Sequence, residues 1–430
     1  MKPGYKLTEV GVVPEEWETH TCSELSERIM VGIVIRPAQY YVRHGVPAFR
    51  SANVREDGIN DLDLVYISNA SNALLAKSQT RTGDVLTVRT GYPGTSAVVR
   101  SAHAGCNCID VLITRPSRRL DSEWLAIWIN SSFGKEQVLR NQGGLAQKHF
   151  NVGDMRNLVV ALPPLCQQRA IAETLRDVDS LLGGLDRLIT KKRGLKQAAM
   201  QQLLTGETRL AGFHGEWKVK TLGALFNFSG GYSASRSQLS TEGHCYLHYG
   251  DIHGAKKMSV DARADYQDIP KLAIQLNRVS PGSLLEDGDI VFVDASEDDE
   301  GTSKHVVVVN KANVPFISGL HTIVAKSKTD ELDHEYRRYC FQTAAIRQQF
   351  LFYAVGTKVS GISKTNIPKL TLPVPSRPEQ AAIAAVLSDM DAELSALEAR
   401  RDKTRDLKQA MVQELLTGKT RLVPAGAADA

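Results

Sequence analysis

Residues 168–210 and 380–422 are two copies of one segment. The first reads QRAIAETLRDVDSLLGGLDRLITKKRGLKQAAMQQLLTGETRL, and the second reads QAAIAAVLSDMDAELSALEARRDKTRDLKQAMVQELLTGKTRL. They align without a gap, 212 residues apart, and share LKQA, LLTG and TRL blocks. Internal self-similarity constrains a fold more than any composition, because a duplicated segment demands a duplicated structural solution.

Each copy reads as one long helix. In the first, apolar residues fall at Ile171, Leu175, Val178, Leu182, Leu185 and Ile189, with steps alternating between four and three. That is the seam of a coiled coil. The second runs Ile383, Leu387, Met390, Leu394, Leu397 and then meets Arg401, where the seam weakens. Leu195, Ala199, Leu203 and Leu407, Met411, Leu415 resume at four-residue steps. A helix of this length spans roughly 50–55 Å. Ser376-Arg-Pro-Glu379 fits a capping box with a proline in the first turn, and Pro163-Pro164 holds the matching place in the first copy. Gly206 and Gly418 suit C-terminal caps. Gly183-Gly184 lies inside the first helix, where each glycine costs about 1 kcal/mol relative to alanine, so a kink or a close helix approach is expected there. Neither helix buries its seam alone. Two solutions follow: the helices pack together as an antiparallel rod, the favoured reading, or each packs only on its own globular region.

Those globular regions precede the helices and share an order of parts. Both open on an acidic tryptophan element, Pro14-Glu-Glu-Trp17 and Gly215-Glu-Trp217. Both enter a strand through Gly-Asp, at Gly83–Val88 and Gly288–Val293, then reach a β-branched strand (Ala97–Val99; Val306–Val309) and an aromatic helical stretch (Trp124–Ile129; Tyr336–Phe341). Both leave through a hydrophobic strand into prolines. The expected architecture is mixed α/β: head 1 over 1–162, a helical spacer over 163–210, head 2 over 211–375, a second helical spacer over 376–422, and a tail over 423–430. The two long antiparallel helices form a coiled-coil rod, and the repeat gives an internal pseudo-two-fold.

The remaining totals exclude classes rather than choose one. A length of 430 residues with 42% hydrophobic and 23% charged residues suits two to four globular domains. The net charge of +4 and isoelectric point of about 8.6 permit nucleic acid as a partner, with the duplex shared or the charge locally concentrated. Six scattered cysteines, a polar N-terminal stretch and no membrane-length apolar run point to a cytoplasmic protein with reduced thiols. No phosphate loop, dinucleotide fingerprint, zinc-protease helix, nucleophile elbow or methyltransferase motif is present, so no catalytic residue is assigned. His103, Cys106 and Cys108 make an incomplete zinc set and read as packing residues. The acidic run Glu297-Asp-Asp-Glu300 reads as a solvated turn, and His244, His248 and His253 as core or nucleic-acid-facing residues. No metal site is assigned.

Taken together, the LPPLCQQRAIAETL and LPVPSRPEQAAIAAVL entries, the LKQAAMQQLLTGETRL and LKQAMVQELLTGKTRL exits, and the Gly356-Thr-Lys-Val-Ser360…Ile367-Pro…Leu370 run resemble the specificity subunits of type I restriction–modification systems. The resemblance covers essentially the whole chain. The first repeat departs from the family pattern at Gly143-Gly-Leu-Ala-Gln147 and at Cys166. What the resemblance implies is a non-catalytic, sequence-specific DNA-binding subunit. Its two target-recognition domains each read half of a split site in double-stranded DNA. Its helices set the spacing and dock two modification (methyltransferase) subunits. The chain itself carries no cofactor: S-adenosylmethionine is expected on those partners, and ATP and Mg on the restriction (translocase/nuclease) subunits that join them.

On that reading, the candidate DNA contacts are loop residues with bidentate or basic chemistry. In head 1 they are Arg50, Asn53, Arg89, Tyr92, Gln147 and Lys148; in head 2, His248, Lys256, Lys257, Ser303, Lys304 and Lys358. Gly91, Gly94, Gly143 and Gly356 either permit backbone approach to phosphate or simply make turns. Leu203, Leu204 and Arg209, with Leu415, Leu416 and Arg421, are the candidate partner-docking residues; the alternative is that they close each helix against a head. Other readings are a subunit of a related system whose single partner both methylates and cleaves, and a non-DNA adaptor spacing two protein ligands.

Overall fold

The computed structural model describes residues 3–140, 149–255, 257–296, 304–354 and 360–422. Two helices dominate, Leu165–Thr205 with 41 residues and Arg377–Leu416 with 40. The chain divides into two compact units, one of residues 1–186 with 399–430 and the other of residues 187–398. The division therefore runs through both helices rather than at their ends, and each helix gives one half to each unit.

In the first unit, four β-branched or aliphatic residues make the central strand, Val85–Val88, and all are buried. It pairs antiparallel with Ser96–Val98 on one side and Val111–Pro116 on the other, and the latter pairs with Ser26–Val31. A second sheet orders Asn107–Cys108, Val46–Phe49, Val65–Ile67 and Tyr41–Val42. The entry to the central strand explains the Gly-Asp pair. Gly83 takes a left-handed turn (φ 88°), a conformation that costs a side chain but not glycine. Asp84 then accepts the Arg81 N–H at 2.8 Å and both ends of the Arg115 guanidinium at 2.8 Å.

The second unit repeats this plan. Ile290–Val293 is the central strand, fully buried, between Thr322–Ser327 and His305–Val309; Phe226–Gly230 and Ser259–Asp261 complete a five-stranded sheet. A four-stranded sheet orders Leu239–Ser240, Lys271–Leu272, His244–Leu247 and Phe316–Ser318. Gly288 turns left-handed (φ 81°), and Asp289 accepts the Glu286 N–H at 2.8 Å and the Lys326 ammonium at 2.7 Å. Burial raises the Asp289 carboxyl above the usual range, with Lys326 opposing the rise.

Two glutamines join the helices to their heads in the same way. The buried Gln168 accepts the Asp121 N–H at 2.8 Å and donates to the Arg119 and Pro163 carbonyls. Gln380 accepts the Asp333 N–H at 2.8 Å and donates to the Glu331 and Pro375 carbonyls. Both solutions to the seam are used. Ile171 and Leu175 enter the core of the first unit and Ile383 and Leu387 that of the second. Within each unit the two helix halves are also tied antiparallel by ion pairs. Asp179–Lys408 and Asp186–Arg401 serve the first, and Lys192–Glu393, Arg193–Glu398 and Lys196–Asp391 the second. Arg401 weakened the apolar seam because its place is that of an ion-pair partner.

Two expectations about the helices change. Glu379 does not serve a capping box: its buried carboxylate takes the Arg209 guanidinium at both oxygens and the Trp217 indole N–H at 3.1 Å. A charged donor outcompetes a backbone N–H for the same acceptor. The helix also runs unbroken through Gly183-Gly184, and a Cβ at Gly184 would meet nothing within 4 Å. Gly184→Ala is thus expected to stabilise the protein by up to about 1 kcal/mol, the helix-propensity difference. A denaturation midpoint that falls instead would show that the backbone there needs glycine.

Candidate nucleic-acid interface

The head 1 candidates divide sharply by what their side chains already hold. Tyr92 is 85% exposed on the turn between left-handed Gly91 and Gly94. It has no structural task there. Asn53, in contrast, is 1% exposed. Its amide donates to the Asn60 and Leu62 carbonyls, and its oxygen accepts the Arg50 N–H at 3.0 Å. Asn53 is spent on shaping its own loop, so its hydrogen-bonding edge is not presented to solvent. Arg50 donates to the Asp63 carbonyl at 2.6 Å. Arg89 is paired with Asp110 and donates to Asn151 Oδ1 at 3.1 Å. Gln147 and Lys148 lie outside the described residues, as does Gly143.

In head 2, His248 is buried and caps a short helix, Tyr249–His253, by accepting the Gly250 N–H on Nδ1 at 3.1 Å. Burial depresses its imidazole, Arg236 and His321 add to the fall, and Asp251 opposes it. A neutral His248 suits the acceptor role. Lys257 is largely exposed, with Asp265 at 3.9 Å, and Lys304 donates to the His253 carbonyl at 3.2 Å. Lys256, Ser303 and Lys358 lie outside the described residues, as do Gly356 and the run 297–300. Among the described residues no three His, Cys, Asp or Glu side chains come together as a metal set. His103 faces Asp61 at 3.1 Å and the Phe49 ring. Cys108 is fully buried, which pushes its thiol up and away from metal-binding chemistry.

The four docking leucines are a correction. Leu203 and Leu204 sit in the core of the second unit, Leu415 and Leu416 in that of the first, all below 8% exposure. Their side chains are used against their own heads, and apolar surface already removed from water offers nothing to a partner. Arg209 is held by Glu379, and Arg421 pairs with Glu16. The repeated TRL ending therefore serves a shared closure. Gly418, left-handed at φ 63°, faces Pro14 and Trp17, and Gly206 (φ 75°) faces Trp217. Trp17 donates its indole N–H to Gln167 at 3.2 Å, as Trp217 does to Glu379. Gln167 and Glu379 are 212 residues apart, so the two closures differ by one charge. Because Gln167 is neutral, Arg421 turns to Glu16 instead.

Sequence reading missed a constellation that each unit builds at the end of its central strand. Val88 pairs with Val111, and Val293 with Thr322. The next residue outward is Arg89 in one unit and Asp294 in the other. Each side chain faces the residue that precedes the neighbouring strand, Asp110 and His321 respectively, the latter pair at 3.3 Å. Asp110 and His321 are both left-handed, at φ 50° and 58°. The carbonyls of Arg89 and Asp294 then receive the N–H of Phe150 (3.1 Å) and Ile362 (2.8 Å). Burial raises the Asp294 carboxyl, with His321 and Lys364 opposing. Nothing in the local sequence around Asp110 or His321 marks them; only the aligned registers do. Sequence reading also passed over a groove of the first unit along the edge strand Ser26–Val31, lined by Arg28, Lys77 and Arg156 among others.

Two heads of one topology, each closed on helix ends by a tryptophan and a buried glutamine, define a duplicated binding protein with exposed aromatic and basic side chains. Residues 214–404 match the family model described as the Type I restriction modification DNA specificity domain. The chain is 23% identical to a putative type I restriction enzyme specificity subunit of Methanocaldococcus jannaschii, covering 97% of each chain. It is 21% identical to a second specificity subunit of that organism, covering 95% of this chain and 94% of the other. Among solved structures, one described as the structural basis of complex assembly and conformational transition of the type I R-M system aligns over 95% of this chain and 99% of that one, with TM-score 0.56 at 16% identity. The type I S subunit from M. genitalium aligns over 96% and 99%, with TM-score 0.54 at 14% identity. The chain belongs to the family of type I restriction–modification specificity subunits. Such subunits determine DNA sequence recognition and are not themselves enzymes.

Proposed function

We propose that each head of this chain reads one half of a split site in double-stranded DNA, and that the helices set the spacing and dock two modification subunits. The observation that carries this reading is the repeated head geometry: one strand plan, one Gly-Asp entry and one glutamine anchor, used twice with different exposed side chains. A shared frame with different surface chemistry is what a non-palindromic split site requires of its reader. A 41-residue helix is about 60 Å long, comparable with one to two duplex turns of about 34 Å. Arg28, Lys77, Arg156 and Lys257 offer cations for phosphates. Methyl transfer with S-adenosylmethionine, and ATP- and Mg-dependent cleavage, belong to the partner subunits in this scheme, and the complex works in the cytoplasm.

The test is a selection from randomised duplex DNA with the chain and its modification partner together, and with each alone. Enrichment of two short motifs at fixed spacing, only with both proteins, is expected. A well-formed complex that enriches nothing would leave the adaptor reading in its place. Within the same assay, Tyr92→Ala is expected to weaken binding to the selected site by about 1–3 kcal/mol, the scale of one base-pair contact. Its thermal midpoint should be unchanged, because an exposed turn residue contributes within about 0.5 kcal/mol. Equal loss on selected and scrambled DNA would make Tyr92 a general backbone contact rather than a reader.

A further inference from the structure

We infer that Arg89–Asp110 and Asp294–His321 are positioning pairs that fix the reading surface of their heads, and that their opposite polarity makes the two heads chemically distinct at this shared point. The inference rests on the DNA-reading function. Three chain segments meet at each pair. One is the end of the central strand, Val88 or Val293. The second is the left-handed residue that leads into the neighbouring strand, Asp110 or His321. The third returns after residues 141–148 or 355–359 and hydrogen-bonds the carbonyl of Arg89 or Asp294.

From the first of these segments, each head projects a piece of chain that no core holds. In head 1 it is the turn bearing Tyr92. In head 2 it is a two-stranded ribbon, in which Ala295–Ser296 pairs with Ser360–Gly361 immediately beyond Asp294 and Ile362. The side-chain pair therefore stands at the root of the exposed segment and holds both its departure and its return. Asn151 adds a second acceptor for Arg89, directly after Phe150. In head 2, Lys364 lies near Asp294, and Tyr249 packs edge-on to His321 at 5.5 Å with His248 beside it.

Backbone conformation argues that the side chains are there for a purpose beyond folding. Left-handed φ is strained for aspartate and for histidine, and glycine would adopt it without cost. A fold that needed only the turn would be served best by glycine. Strain kept in both heads, at matching register, points to the side chain it retains. The two heads then solve one mechanical task with reversed chemistry. In head 1 the cation is on the central strand and is a guanidinium, always charged. In head 2 the anion is on the central strand and the partner is an imidazole.

Asp110→Gly and His321→Gly separate positioning from folding, because each removes a side-chain partner and relieves backbone strain together. Both variants are expected to keep or raise the denaturation midpoint. In the DNA selection with the modification partner, Asp110→Gly is expected to blur one half-motif, with at least a tenfold loss of discrimination there, and to leave the other half intact. His321→Gly is expected to do the reverse. Transplanting the second pair into head 1, Arg89→Asp with Asp110→His, is expected to recover discrimination that either single change loses. Unchanged motifs in both glycine variants would overturn the inference while leaving the DNA-reading function in place. Equal blurring of both half-motifs with a lowered midpoint would also overturn it, as the mark of a purely structural role. A wild-type complex that enriches no split motif would overturn the DNA-reading function itself, and this inference with it.

Discussion

Asp84→Ala is expected to destabilise the first unit by about 3–5 kcal/mol, because it strands the Arg115 guanidinium with no counter-charge. Asp84 is 1% exposed and the Arg115 side chain 13%, so solvent cannot take over the lost interaction. The aspartate also holds the turn that starts the central strand, through the Arg81 N–H. Removing both partners together, as Asp84→Ala with Arg115→Met, should recover much of the loss, since an uncompensated buried charge costs more than an absent pair. Chemical denaturation followed by tryptophan fluorescence is the measurement. Trp17, Trp124 and Trp128 report the first unit and Trp217 the second, so the units can be followed separately. A double variant no more stable than the single would show that the pair's worth lies in the turn, not in the charge. The matching change Asp289→Ala should cost less. The Lys326 side chain is 21% exposed, and burial already holds the Asp289 carboxyl above the usual range, so that ion pair offsets less of its own desolvation. A carboxyl so raised stabilises the fold fully only when protonated, and loses that contribution as pH rises through its folded-state value.

Trp17→Ala is expected to cost a similar amount, about 3–5 kcal/mol, and to release the end of the second long helix from the first unit. Trp17 is 1% exposed, packs edge-on to Trp124 at 5.8 Å and donates to Gln167. It is also the wall that Gly418 approaches, beside Tyr5, whose hydroxyl donates to the Gly418 carbonyl at 2.9 Å. The first residues of the chain thus hold its last helix. Amide exchange across 399–416 should rise in the variant well before global unfolding. Unchanged protection there would show that Leu415 and Leu416 anchor the helix unaided. Glu379→Gln is the companion test in the second unit. It writes the first unit's neutral residue into the charged closure, and should weaken the hold on Arg209 while sparing the Trp217 hydrogen bond.

Much of the architecture was readable in the chain. The unbroken 212-residue repeat announced two helices and two like heads, and Gly206 and Gly418 marked their ends. The Gly-Asp entries located both central strands. The candidate contacts were less readable. Residue type named Asn53 and Arg89 as readers, yet Asn53 is buried in its own loop and Arg89 is tied to Asp110. Leucines at the repeat ends looked like a docking surface because the repetition was visible and the burial was not. A polar side chain looks the same in one-letter code whether it faces solvent or a carbonyl six residues away.

What the sequence by itself determined is the periodic part: helix faces, strand runs and turn glycines, all set by interactions between residues close along the chain. What only the tertiary structure decided is which polar groups answer each other across 21 to 212 residues. Glu379 chose Arg209 over its own helix start, Arg421 turned to Glu16, and two strand ends acquired ion pairs of opposite polarity. The reason is physical. A helix or a turn is specified by local backbone geometry, whereas a buried charge takes whichever partner the packed chain brings within reach, and that partner has no fixed place in the sequence.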